Sequence, residues 1–230
     1  MNYDQILEKL KALENPKNVE GMARYGINPK NNLGVSIYIL RPIAKKIGRD
    51  HDLALKLWDS GIHDARLLAC FIDDPEKVTG KQMDSWAKNF DSWDICDQAC
   101  TSLFDQTSLA WTKAFEWAER NEEFVKRAAF SLIAGLSVHD KKANDEKFER
   151  FMPIIKKHAI DKRNYVKKAD NWALRNIGKR NINLNKKAIK TAKELLKTEN
   201  KTAIWIAKDA LKELTSEKVK QRLNKNNAKK

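Results

Sequence analysis

Glu123-Phe-Val-Lys-Arg-Ala-Ala-Phe-Ser-Leu132 places its apolar residues at Val125, Ala128, Ala129 and Leu132. That spacing of three and four is one face of an α-helix. The triplet Val125/Ala128/Leu132 recurs along the chain as Ile62/Ala65/Ala69, Trp93/Cys96/Cys100, Val166/Ala169/Ala173 and Ile204/Ala207/Leu211. First positions are 31, 32, 41 and 38 residues apart. The small Ala and Cys side chains allow close helix packing. A second helix fits into each interval.

Similar spacing predicts helices over 3–13, 36–48, 51–59, 62–72, 81–89, 92–104, 107–119, 122–136, 145–158, 164–178, 185–197, 201–214 and 215–223. Ser36 and Asp91-Ser92 are suited to cap helix starts, and Gly48, Gly61, Gly135 and Gly178 to end them. Pro42 predicts a kink or a late start in the 36–48 helix. With 8 Gly and 5 Pro in 230 residues, turn chemistry for a β protein is lacking. The expected fold is all-α: a HEAT-like helical-repeat solenoid, one curved domain over 1–223 with a basic concave face. Any set of amphipathic helices shows some such triplets, so the alternative is a helical chain without true repeats. Residues 224–230, polar and basic, read as a disordered tail.

The formal net charge is +14, unevenly spread. Residues 141–230 hold 27 Lys and Arg against 10 Asp and Glu, whereas residues 1–140 hold 18 against 21. A basic half points to a polyanion, most simply nucleic acid, against the alternative of charge kept for solubility. No apolar run approaches the length of a membrane span, and the N-terminus lacks the pattern of a secretory signal. Cys70, Cys96 and Cys100 form no CxxC pair, which argues against a disulfide framework or zinc site and fits a reducing cytosol. No metal or cofactor is expected. Gly-rich phosphate loops, GxSxG and HExxH are absent, as is a Gly-Pro-Gly hairpin.

Three residues break their helix pattern. Asp97 lies within the stripe Trp93, Cys96, Cys100, Phe104, one turn above Trp93. It is either held by a neighbouring helix or aimed at a developing positive charge. Arg127 borders its core stripe and could pair with Asp97, fork onto a phosphate, or do both in turn. Trp172 joins the line Lys168, Trp172, Arg175, Lys179 rather than the core line Val166, Ala169, Ala173, Ile177. It either seals the core's edge or stacks against nucleic acid. Trp58, Trp86, Trp111, Trp117 and Trp205 fit core stripes.

These residues resemble the AlkD-like family of DNA alkylation repair enzymes, HEAT-like DNA glycosylases, from about residue 16 to about residue 215. Met22-Ala-Arg-Tyr25, Gly34-Val35, Leu40-Arg41, Trp93-Asp-Ile-Cys-Asp97, Arg127-Ala-Ala and Trp172-Ala-Leu-Arg175 carry the likeness in order. The resemblance implies that Asp97 is the catalytic carboxylate and that Trp93 and Trp172 are aromatic walls. It implies that Arg127 holds the backbone beside the lesion, and that Tyr25, Arg41, Lys168, Arg175 and Lys179 face DNA. The implied reaction is hydrolysis of the N-glycosidic bond of N3- or N7-alkylated purines in duplex DNA; a monomer is expected by default, in a bacterial-type cytoplasm and with the nucleoid when bound to DNA. The chain departs from the pattern in its acidic cluster Asp91, Asp94, Asp97, in Asp170 after Lys167-Lys168, and in the segment before Tyr25. Two alternatives remain: a non-catalytic DNA-binding module sensing damaged or distorted DNA, and a scaffold for an acidic protein.

Overall fold

The computed structural model describes residues 1–227. Every regular element among them is helical. The chain divides into two compact units, 1–109 and 110 onward.

The N-terminal unit holds α1 (Tyr3–Ala12), α2 (Pro16–Arg24), α3 (Ile37–Ile47), α4 (His51–Asp59), α5 (His63–Ile72), α6 (Gly80–Lys88), α7 (Trp93–Ser102) and a 3-10 turn at Phe104–Gln106. Helix α5 packs against α3, α4 and α7. Ala65, Ala69, Cys96 and Cys100 of the repeated triplets are fully or almost fully buried. Trp58 and Trp86 stack with ring centres 3.9 Å apart and close the other side of this core. Helix α2 is absent from the sequence reading because its apolar content is thin. Asn15 caps it and Pro16 occupies its first position, so local chemistry rather than an apolar stripe starts it. Helix α3 runs through Pro42. Tyr38, whose carbonyl loses its usual partner, lies on the exposed side.

The C-terminal unit holds α8 (Ala110–Ala118), α9 (Glu123–His139), α10 (Asp145–Glu149), α11 (Phe151–His158), α12 (Asn164–Gly178), α13 (Ile182–Leu195), α14 (Lys201–Leu214) and α15 (Glu217–Asn227). Helices α9, α12 and α14 carry the repeated triplets, and α12 packs against both of the others. The helix expected over 145–158 breaks at Arg150 and restarts as α11, with Pro153 in its first turn where no N–H is needed. Helix α15 continues to Asn227, so residues 224–227 are helical rather than tail; 228–230 lie outside the described residues.

Two glycines expected to end helices behave differently. Gly135 is buried inside α9, which continues to His139. Gly178 does end α12, and its role is steric. A Cβ there would sit 2.9 Å from the Cβ of Ala188 and 2.7 Å from Leu214 Cδ2, so its missing side chain lets α12, α13 and α14 meet. Gly178→Ala is expected to destabilise the chain by about 1–3 kcal/mol through overpacking, read by urea denaturation. An unchanged midpoint would show that α13 and α14 yield freely.

Candidate nucleic-acid interface and active-site residues

The N-terminal unit holds the start of α7 rigidly. Asp64 is buried, and its two carboxylate oxygens accept the N–H groups of Leu33 and Val35, each at 2.7 Å. Gly34 between them has φ +71°, and a Cβ would approach the carbonyl oxygen of Asn15 to 2.4 Å, so only glycine fits. The pinned segment presents Asn28, whose N–H donates to Ser92 Oγ and whose amide donates to Asp91 Oδ2, both at 2.8 Å. Ser92 therefore precedes α7 without capping it through its side chain; its hydroxyl oxygen accepts from Asn28 instead. The Trp93 indole N–H donates to the carbonyl of Tyr25 at 3.0 Å. This bond places Tyr25, 79% exposed, beside Trp93.

Below this, His63 Nε2 and Asp94 Oδ2 lie 2.9 Å apart, with His63 almost fully buried. Burial pulls the imidazole's pKa down, but the hydrogen bond and charge of Asp94, aided by Asp64 and Asp91, hold it above the ordinary histidine value. Asp94 thus faces inward and Asp91 is tied to Asn28. Asp97, on the next turn after Trp93, is partly exposed. Thr101 donates its hydroxyl to the backbone carbonyl of Asp97 at 2.7 Å. Cys96 and Cys100 are buried beside it, and burial pushes the Cys100 thiol well above its usual pKa, with Cys96, Asp97 and Asp105 adding to the shift. A thiol so held is no nucleophile.

Arg41 on α3 donates to Gln98 Oε1 at 3.2 Å and lies 4.8 Å from the Phe71 ring centre. Arg41, Lys45 and Arg49 line a cavity of about 460 Å³ that Thr101 and Ser102 of α7 also border. Tyr38, 84% exposed, is on the same helix.

In the C-terminal unit, Arg127 is buried, and its Nη1 donates to the carbonyl of Tyr165 at 2.7 Å. Phe124 stacks on the Tyr165 ring. Trp172 is partly exposed and Lys168 is exposed. The remainder of the expected cationic line is engaged. Arg175 Nη1 lies 2.5 Å from Glu213 Oε2, and Lys179 Nζ 2.7 Å from Glu213 Oε1. Burial raises the Glu213 carboxyl's pKa, but Lys179 and Arg175 outweigh it and hold the group below its usual value. Lys168→Gln is accordingly expected to flatten the salt dependence of duplex affinity by about one unit, and Arg175→Gln or Lys179→Gln by less. Equal slopes for the three variants would refute this division.

Asp170 is fully buried and has no place on the cationic face. Trp205, expected in the core, is 40% exposed with the Lys167 ammonium 4.5 Å from its ring centre. Among the described residues no three His, Cys, Asp or Glu side chains group to hold a metal ion, and no helix is long and apolar enough to cross a membrane.

The profile of the DNA alkylation repair enzyme family matches residues 6–214. The chain belongs to that family. A solved structure described as a new family of proteins related to the HEAT-like repeat DNA glycosylases, with affinity for branched DNA structures, superimposes with a TM-score of 0.80 at 23% identity. The match covers 97% of this chain and 96% of that one, so this family member has the HEAT-like fold. Uncharacterized proteins of Listeria monocytogenes and Listeria innocua are each 26% identical to it over 138 residues. The matched stretch is 58% of this chain and 62% of either relative.

Proposed function

We propose that this protein is a monofunctional DNA glycosylase that hydrolyses the N-glycosidic bond of cationic N3- or N7-alkylated purines in duplex DNA. The observation that carries the reading is Asp97, half-exposed one turn beyond Trp93 on a helix whose start is fixed by Asn28 and Tyr25. An alkylated purine already carries positive charge and leaves without a general acid. What remains is to stabilise the oxocarbenium-like sugar and position water, and a carboxylate does both. Trp93, one turn before Asp97, offers an indole face to the cationic nucleoside, and Trp172 is assigned to stacking against DNA. Arg41, Tyr25 and Lys168 are assigned to the DNA backbone, with Arg175 and Lys179 contributing less because Glu213 shares their charge; Arg127, buried with its Nη1 on the Tyr165 carbonyl, reaches a phosphate only through what remains exposed of its guanidinium. No cofactor takes part. Chromatography of base released from methylated duplex DNA tests the reading, and protein that binds the duplex but frees no base overturns it.

The second reading is a DNA binder without base release. It is favoured by the structural neighbour, which is described as having affinity for branched DNA structures. On this reading a four-way junction binds more tightly than a linear duplex of the same sequence, and Asp97→Asn leaves that preference unchanged.

A further inference from the structure

A second cavity, of about 620 Å³, lies within the C-terminal unit, where the ends of α9 and α12 meet the 140–144 connection, the start of α13 and α15. Four cations line it: Lys141, Lys179, Arg180 and Arg222. Asp145 also lines it, but its two oxygens accept from the side-chain amides of Asn181 at 2.7 Å and Asn183 at 2.8 Å. The acid's hydrogen bonds are thus taken by neutral donors, and four positive charges on the lining face its one negative charge. Lys179 alone is shared, with Glu213. Lys141 and Arg222 are exposed and, among the described residues, make no ion pair.

Arg180 is set in place beforehand. Its Nη1 donates to the carbonyl of Ser137 at 3.1 Å and its Nη2 to that of Ala143 at 3.0 Å. Its guanidinium lies 4.2 Å from the Phe148 ring centre. Burial lowers its pKa from the usual arginine value, with Asp140 and Asp145 opposing. A half-buried guanidinium bonded to carbonyls retains its charge and spare donors, a combination suited to a phosphate oxygen.

We propose that this cavity grips backbone phosphates of the DNA strand flanking the Trp172 contact, through Lys141, Arg180 and Arg222. The inference rests on the DNA-binding reading above. Trp172 and Lys179 are separated by roughly 10 Å of helical rise, about three nucleotides of strand, so one strand reaches both.

The test is fluorescence anisotropy of a labelled duplex over a salt series. It compares wild type, the double variant Lys141→Gln/Arg222→Gln, and the control Lys142→Gln/Lys218→Gln, which removes two exposed lysines outside the cavity. The first pair is expected to weaken binding about tenfold and to reduce the salt slope by roughly two units, with an unchanged thermal midpoint. The control is expected to change the slope by much less. Equal effects from the two pairs, or none from the first, overturn the proposal. A parallel thermal scan with inorganic pyrophosphate separates its failure from that of the DNA reading. Wild type that binds no duplex overturns the DNA reading itself. If pyrophosphate then stabilises wild type but not the first pair, the cavity takes free phosphate compounds and the strand assignment is overturned. If pyrophosphate stabilises neither, the phosphate assignment is overturned as well.

Discussion

Asp97→Asn is expected to lower the rate of alkylpurine release by about two to three orders of magnitude, while duplex affinity stays within about twofold of wild type. The amide keeps the shape of the carboxylate and removes its charge, so the loss falls on the transition state, where positive charge builds on the sugar. Removing one preorganised electrostatic partner from such a site costs roughly 3–4 kcal/mol of barrier. The start of α7 is held by Asn28, Tyr25 and His63 acting on Asp91, Ser92, Trp93 and Asp94, and the bond from Thr101 uses the Asp97 main chain. Single-turnover release from methylated duplex, beside anisotropy and a thermal scan of the same preparation, separates these quantities. A variant that releases base at the wild-type rate would remove Asp97 from the chemistry and leave it a structural residue.

What could be read from the residues follows from how local each signal is. Helix α12 is legible to its last residue because the line Val166, Ala169, Ala173, Ile177 ends at Gly178, where packing also demands glycine. Gly135 carries the same letter but is one of thirteen buried residues of α9, where burial rather than a stop signal decides. Helix α2 escapes because its start is written in Asn15 and Pro16 rather than in an apolar period.

The candidate site divides the same way. Asp97, Arg127 and Trp172 stand out because each breaks a pattern within its own helix, whereas Trp93 lies on its helix's apolar stripe and is singled out by the family resemblance. The pairing of Arg175 and Lys179 with Glu213 is invisible because the acid lies 34 to 38 residues further on, on a different helix. Trp205 misleads for a related reason. Ala203, Ile206, Ala207 and Ala210 are buried around it, and only the packing of α12 against α14 decides that the indole faces outward.

Replacing Asp170 should change the pH dependence of stability more than any other single substitution here. Asp170 is fully buried, neither carboxylate oxygen has a hydrogen-bond partner, and burial pushes its pKa well above the usual value, with the charge of Asp161 adding to the shift. In the unfolded chain the group ionises near pH 4. Between that pH and its raised folded value, the native state binds one more proton than the unfolded state, so stability falls as pH rises. The contribution is fully present below the unfolded pKa and is lost by the folded one, with a slope of about 1.4 kcal/mol per pH unit in between. Asp170→Asn keeps the size of the side chain and cannot ionise. Urea denaturation at pH 5 and pH 7 should therefore show the variant gaining roughly 2–3 kcal/mol on wild type across the interval, if the carboxyl stays protonated in the fold throughout. The sign at any one pH depends on how the buried amide fares, but the change with pH does not. Parallel curves for the two proteins from pH 5 to pH 7 would mean that Asp170 titrates alike in both states, and that a buried water or a shift of α12 satisfies it. The helix that carries Trp172 would then have a solvated interior rather than a dry one.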